Sequence, residues 1–353
     1  MNHINGLRAI LGKVGAEALL LTSEISQRYA VDFAFSDGYV LITPRSAYLI
    51  TDARYLEEAT SATDREITVV APPQRREFIF DTLRTEGIGS VGVENRALTL
   101  SDYDALFDGV TVGTVPIGSA IEELRAIKDG EELSRIRAAQ AITDAAYAHI
   151  LSMLTPTMTE VDVVLELEFF MRRNGADGIA FPTIAVSGAS SSLPHGLPSR
   201  RPLSAGFLTM DFGASVGGYA SDMTRTVVLG RATEKMKHLY RTVLTAQELG
   251  IAAIAAGVTG VLVDGAARAH IEHEGYRGLF GHGFGHGVGL EIHEEPRLSM
   301  RGNTPLSAGN VVTAEPGIYR AGEYGCRIEN MGLVTENGFE CFTKSTKELI
   351  ELF

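Results

Sequence analysis

The chain has 353 residues, 45% of them hydrophobic, and a formal net charge of −13. That length exceeds what one hydrophobic core usually serves, so two domains are expected. The acidic balance excludes nucleic acid and an anionic membrane surface as partners, since both need a basic face.

Cys326 and Cys341 are the only cysteines, which leaves no disulfide framework and no Cys-based zinc site. The first residues lack the charged region, apolar run and cleavage site of a signal peptide. The most apolar later stretch, LGIAAIAAGVTGVLV, is short and broken by glycines, so it does not read as a membrane span. A cytoplasmic protein is the expectation.

Residues 1–117 alternate short apolar runs with helical patterns. ALLLTS (18–23), YVLITP (39–44), AYLITD (47–52), ITVVAP (67–72) and VGVEN (91–95) read as strands, and 74–87 reads as a helix. This predicts an α/β domain with a mixed sheet. It carries neither a P-loop nor a dinucleotide fingerprint. The pattern changes near Pro116-Ile117-Gly118. A long helix is predicted from Gly130 to Leu154, opened by Asp129, Glu131 and Glu132, whose charge suits a helix N-terminus. Glu122, Arg125 and Lys128 share one face, which reads as solvated. The boundary is placed near residue 120, giving domains 1–120 and 121–353.

The second domain holds an internal repeat at an offset of 100: LTPTMTEVDV (154–163) aligns with IAAGVTGVLV (254–263). Thr159/Thr259, Val161/Val261, Val163/Val263 and Gly175/Gly275 match. A duplicated helix-plus-sheet half would put a cleft between the copies. SGASSSLPHGLPSRRP (187–202) is polar and proline-punctuated, hence a loop, with His195 in its middle.

LTMDFGASVGGYASDMTRTVVL (208–229) reads as two strands around Gly217-Gly218, a two-residue hairpin signal. That turn pairs Asp211 with Thr224 and Gly213 with Asp222, so Asp211 and Asp222 share a face diagonally. Like charges there repel unless a cation compensates them. GHGFGHGVGLEIHEEP (281–296) sets His282, His286 and His293 among five glycines. The glycines exclude an ordinary helix and suit tight turns, and GLEIHE alternates like a strand. A second hairpin follows, NVVTAEPGIY (310–319) and RIENMGLVT (327–335), centred near Gly322. Glu315 and Glu329 are symmetric about that centre, so they can face each other among apolar neighbours, where an isolated carboxylate is costly. Two carboxylate pairs and a histidine fit two divalent ions. Hard oxygen donors with an imidazole favour Mn2+, with Co2+, Fe2+ or Zn2+ feasible. Such a pair serves hydrolysis.

Asp in MDFG, Asp in SDMTRT, His in GHGVGLEIHEEP, Glu in AEPGIY and Glu in RIEN together resemble, in order and context, the pita-bread metallopeptidases. Within them the chain is similar to the proline-specific branch, aminopeptidase P and prolidase. SDGYVLITPRSAYLITDARY resembles the creatinase-type N-terminal domain of the same proteins. The resemblance implies an α/β N-terminal domain, then an α+β pita-bread catalytic domain with pseudo-two-fold symmetry. It implies Asp211, Asp222, His286, Glu315 and Glu329 as metal ligands, with Asp222 and Glu329 facing both ions. Glu315 would also be the general base beside a bridging hydroxide. His195 and His293 would bind substrate and help stabilise the oxyanion, and His282 would line the cleft. Thr224 and Arg327 would orient ligands. Many relatives have Glu-Asp where this chain has Glu329-Asn330.

The implied activity is hydrolysis of the Xaa-Pro bond in peptides with proline second, by a homodimer. The short segment from His293 to Glu315 favours the aminopeptidase over the dipeptidase. Arg297 or Arg301 in the cleft would instead favour dipeptides, by holding a free carboxylate; the expectation is that both face solvent. A non-catalytic pita-bread binding module and a metal-independent hydrolase like creatinase both predict lost carboxylates, and none is lost. Methionine aminopeptidase shares the site but normally lacks such an N-terminal domain.

Overall fold

The computed structural model describes residues 3–353. The chain divides into two compact units, Met1–Arg125 and Ala126–Phe353.

The first unit is built on a six-stranded mixed sheet. Its order is Thr68–Val70, Ala47–Ile50, Tyr39–Ile42, Ala18–Leu21, Ser90–Val93, Gly113–Pro116. All five strands read from the sequence are present. The sixth, Gly113–Pro116, lies at the edge, and its residues are exposed or half-buried. It therefore carries no apolar run to betray it. The helix read at 74–87 is Arg75–Glu86, closed by Gly87 at φ 74°. Such a left-handed C-terminal residue is the usual place for glycine.

The second unit is made of two halves that repeat one plan. In each, a long helix is followed by a turn and a shorter helix: Gly130–Met153 then Glu160–Arg173, and Glu234–Ala253 then Gly260–Ile271. Gly130–Met153 opens with a capping box of Asp129 and Glu132, which satisfies donors that a helix start leaves unpaired. The repeat extends to single hydrogen bonds. Thr159 bridges Pro202 as Thr259 bridges Pro305. Val161 donates to the Ser199 carbonyl at 3.2 Å, and Val261 to that of Gly302 at 3.0 Å. Each half has its own apolar core. Tyr147, Ile150, Leu167 and Met171 pack on Leu208, Met210 and Phe212. Leu239, Val243, Val263 and Ala267 pack on Phe284, Val312 and Ala314.

Both hairpins have the register read from the sequence. Thr224 pairs with Asp211 between strands Gly206–Phe212 and Met223–Leu229, and Val216 pairs with Tyr219 across the turn. Gly217 and Gly218 have φ of 58° and 83°, as a type I′ turn requires. The ladder is interrupted at Gly213 and Asp222. A Cβ on Gly213 would lie 1.8 Å from the Ser221 carbonyl oxygen, so only glycine fits there. The second hairpin is likewise split. Val311–Ala314 pairs with Asn330–Thr335, and Gly317–Arg320 with Tyr324–Arg327, in one continuous register. Glu315 and Glu329 stand opposite each other at the break. The first hairpin thus opens at Asp222, with Asp211 still paired, and the second at Glu315 and Glu329.

Two expectations are corrected. Arg125 and Lys128 are buried, not solvated. Lys128 Nζ reaches Glu294 Oε1 at 2.6 Å, and this charge compensation makes its burial tolerable. GLEIHE is not a strand: residues 289–293 bend between strands Gly285–Gly287 and Glu294–Leu298. The Gly289 N–H donates to the Glu291 carbonyl at 3.0 Å, and this tight turn overrides the local alternation.

Arg225 joins the halves. It is fully buried, and its guanidinium donates to the carbonyls of Thr224 (2.9 Å), Glu329 (2.5 Å), Ser345 (2.7 Å) and Thr346 (2.8 Å) and to Asn330 Oδ1 (2.9 Å). All five of its N–H groups are used. Asn330 in turn donates from Nδ2 toward Cys341 Sγ at 3.2 Å, a bond that an aspartate could not make. Arg225→Met should leave several of these acceptors unsatisfied and cost about 3 kcal/mol or more, read as a lower urea midpoint. Proteolysis should at the same time become faster around residues 343–346.

Candidate metal centre

The two interrupted hairpins meet along one seam. The Glu329 N–H donates to the Thr224 carbonyl at 3.1 Å, and Thr226 Oγ1 donates to that of Arg327 at 2.8 Å. The seam brings the two carboxylate pairs to the floor of a cavity of 540 Å³. Asp211, Asp222, His286, Glu315, Glu329, His195, His282 and His293, all singled out from the sequence, line it. Ligand atoms of Asp222, His286 and Glu329 lie within 4.8 Å of one another. Glu315 Oε1 stands 3.3 Å from His286 Nε2, and Asp222 Oδ2 stands 3.6 Å from it. Asp211 lies outside that tight group and takes a hydrogen bond from Arg327 Nη2 at 2.5 Å.

The local chain explains how each side chain is aimed. His286 sits on the short strand Gly285–Gly287, flanked by glycines because a Cβ at either would meet backbone at 2.1–2.2 Å. Its Nδ1 lies 3.1 Å from the Gly287 carbonyl oxygen. This assigns the proton to Nδ1 and leaves the Nε2 lone pair facing the carboxylates. Thr224 Oγ1 donates to Glu329 Oε2 at 2.7 Å and accepts from Arg327 Nε at 3.0 Å, so Thr224 and Arg327 both orient the acidic groups.

Charge crowding dominates the electrostatics. Burial pushes the Glu315 carboxyl up to about 8, with Arg327 opposing and Asp211 adding to the rise. Asp222 is held well above the ordinary range by burial, then by Glu329, Asp211 and Glu315. Glu329 is raised likewise by burial, then by Glu315 and Asp211. Burial lowers the His286 pKa, and takes His293 down to about 4 and His282 to about 3. These imidazoles are therefore neutral near pH 7. Glu329 Oε1 and Asp211 Oδ1 are buried without a hydrogen-bond partner. Orphaned carboxylate oxygens, a neutral imidazole lone pair and mutual repulsion are what divalent cations relieve, so the residues present fit such ions.

Two features escaped the sequence. Tyr319 Oη is 2.9 Å from His282 Nε2 and takes a hydrogen bond from Arg327 Nη1 at 2.8 Å, tying the cavity histidine to the acidic floor. Its signal was the strand after Glu315-Pro316-Gly317, where alternation sets side chains on alternate faces. Phe181, Pro182 and Ile292 form apolar cavity wall; isolated apolar residues in bends carry no periodicity to reveal such a role.

Comparison with known proteins follows the same lines. Residues 134–336 match metallopeptidase family M24, and residues 3–127 match the creatinase/prolidase N-terminal domain. The chain is 38% identical over 315 residues to an Xaa-Pro dipeptidase of Pyrococcus horikoshii, covering 89% of this chain and 88% of that one. It is similar to the solved structure of an Xaa-Pro dipeptidase from Bacillus anthracis, with 42% identity, a TM-score of 0.94 and 99% of each chain covered. An X-Pro aminopeptidase from Thermotoga maritima MSB8 is similar at 33% identity and a TM-score of 0.92, over 99% of this chain and 100% of that one.

Crowding at this floor makes an opposite-sign test possible. Glu329→Gln removes one buried like charge. In chelator the variant should unfold at the same urea concentration as the parent, or higher. In saturating manganese the order should reverse, because ion binding stabilises the parent by about 2.7 kcal/mol at a hundredfold excess over Kd. The same order in both media would remove Glu329 from the cation site.

Proposed function

The chain belongs to metallopeptidase family M24, and on that premise we propose that it is an Xaa-Pro aminopeptidase, hydrolysing the bond before a proline in second position. The observation that carries this reading is the cavity floor, where Asp222, His286 and Glu329 converge within 4.8 Å with Glu315 and Asp211 beside them. Asp211, Asp222, His286, Glu315 and Glu329 would hold two divalent ions, for which manganese suits the oxygen-rich set. When bound, such ions polarise a carbonyl and make water nucleophilic at neutral pH.

The chain's own residues do the rest. Glu315 Oε1 faces His286, while Oε2 lies 3.9 Å from His282 Nδ1 on the cavity side. With cations relieving the crowding the Glu315 carboxylate would be ionised, and from there it would take a proton from the attacking water and return it to the proline nitrogen, a poor leaving group unless protonated. His293 and His195 line the same space. Their ring N–H groups would donate to the carbonyl oxygen as charge builds there. Phe181, Pro182, Ile292 and Pro198 offer apolar wall for a proline ring and its neighbour, and a wall without obligatory acceptors suits an imide that has no N–H to donate. A cytoplasmic location is part of this reading, supported by the two free cysteines Cys326 and Cys341; among the described residues no helix is long and apolar enough to cross a membrane. A homodimer belongs to this reading through the family resemblance.

One observation favours a second reading, an Xaa-Pro dipeptidase. Arg297 lines the cavity, whereas Arg301 does not. An open primed side required both arginines to face solvent, and Arg297 departs from that. Its side chain is 45% exposed and stands 3.9 Å from Glu295, so part of its charge is already engaged.

Glu315→Gln should lower kcat by about 10²–10⁴ through lost proton transfer; turnover near the parent's would strip Glu315 of this role. A kinetic series at fixed manganese separates the two readings. The first expects Xaa-Pro-Yaa to be cleaved with higher kcat/KM than Xaa-Pro, and Arg297→Ala to affect both alike. A dipeptide preference that Arg297→Ala abolishes, by roughly ten- to hundredfold as for a lost charged hydrogen bond, would establish the dipeptidase.

A further inference from the structure

His195 stands on a loop whose inner part is tied to the second hairpin, by Gly325 N to Ser191 Oγ at 3.0 Å and Arg327 Nη1 to the Pro194 carbonyl at 3.3 Å, but whose outer part has no apolar anchor. The residue is exposed, and its neighbours Leu193 and Leu197 are 55% and 88% exposed. Apolar packing therefore does not place the imidazole; the backbone path of the loop must. Both ends of that path are fastened to a single buried carboxylate. Glu160 Oε1 accepts from Ser187 N at 2.7 Å and Ser187 Oγ at 3.0 Å. Glu160 Oε2 accepts from Ser199 N at 2.9 Å and Ser199 Oγ at 2.8 Å. Ser187 Oγ also accepts from Ser204 N at 3.0 Å, so the tie reaches past the loop. Glu160 is 3% exposed and opens the helix Glu160–Arg173, where the partial positive charge of a helix start favours a carboxylate.

The other half of the unit shows what is special here. At the repeat-related position stands Gly260, and a Cβ there would lie 2.1 Å from the Arg297 carbonyl oxygen. In that half, backbone packs directly on the helix start. In the first half the equivalent backbone bond from Val161 to the Ser199 carbonyl is kept at 3.2 Å, and the Glu160 carboxylate is added beside it.

We propose that Glu160 is a positioning residue for the reaction: it acts through His195 by closing the loop between Ser187 and Ser199 over the cavity. The inference rests on the role of His195 in binding substrate given above. Glu160 itself touches neither substrate nor ions. Glu160→Gln places an amide NH2 against two donors at one end of the loop, so that end is released.

The test is a double-mutant cycle on the full-length enzyme, with Ala-Pro as probe at fixed manganese and with bound metal quantified. Glu160→Gln should lose up to roughly 10²-fold in kcat/KM, as misplacement by about an ångström does, with metal content unchanged. In a His195→Ala background the same substitution should cost less than about twofold more, since coupled residues are non-additive. Ser199→Ala, which removes one of the four donors, should show the same coupling at smaller amplitude, and it decides the matter if Glu160→Gln does not fold. A damaging His195→Ala whose loss multiplies with that of Glu160→Gln or Ser199→Ala overturns the inference alone. A silent His195→Ala overturns the reading of His195 and this inference with it.

Discussion

Like-charge repulsion among buried carboxylates is the constraint to which the catalytic unit answers. Asp211, Asp222, Glu315 and Glu329 share one cavity floor, with Arg327 reaching in to Asp211. A protein interior does not tolerate such a set without compensation. The hairpins accommodate it by breaking. The first ladder opens at Asp222 and the second at Glu315 and Glu329, while Asp211 stays paired with Thr224, and all four carboxylates line the one cavity. The surrounding hydrogen bonds, from Thr224 to Glu329 and from Arg327 to Thr224, hold their directions against the repulsion.

Duplication gives that centre its two sides. One half supplies the first hairpin and the loop of His195; the other supplies His286, His293 and the second hairpin. The walls are held by different means. Glu160 fastens the first through four hydrogen bonds, while on the other side Lys128 meets Glu294, the residue next to His293. Tyr319 and Arg327 then connect floor to wall, because Arg327 Nη1 also donates to the Pro194 carbonyl at 3.3 Å, one residue before His195. Polar ties thus join the parts of the chain that carry the cavity's histidines and carboxylates.

What the sequence disclosed follows from which signals are local. Gly217-Gly218 fixes a turn, and a turn fixes a register; the pairing of Asp211 with Thr224 followed by counting. The same counting about Gly322 set Glu315 opposite Glu329. Burial of a charge is not local. Lys128 looked solvated because its partner, Glu294, lies 166 residues away. Glu160 carries no signal of its own in the sequence, and nothing near it announces that Ser187 and Ser199 converge on it. The bend at 289–293 was hidden for the opposite reason: its alternation is real, but a tertiary turn overrides it.

Arg225 has a consequence for how the protein is made. Its acceptors include the carbonyls of Ser345 and Thr346, and the strand Met223–Leu229 that carries it is also paired with Glu351–Leu352. The unit Met1–Arg125 draws on nothing downstream for its sheet, so it can fold while synthesis continues. The second unit cannot. A nascent chain that has emerged only to residue 340 lacks the segment that seats Arg225, and with it one support of the Glu329 backbone. During that interval its acidic residues remain in water, where their repulsion is weak. The seat of Arg225, and with it one support of the acidic floor, is complete only once residues 345–346 are in place.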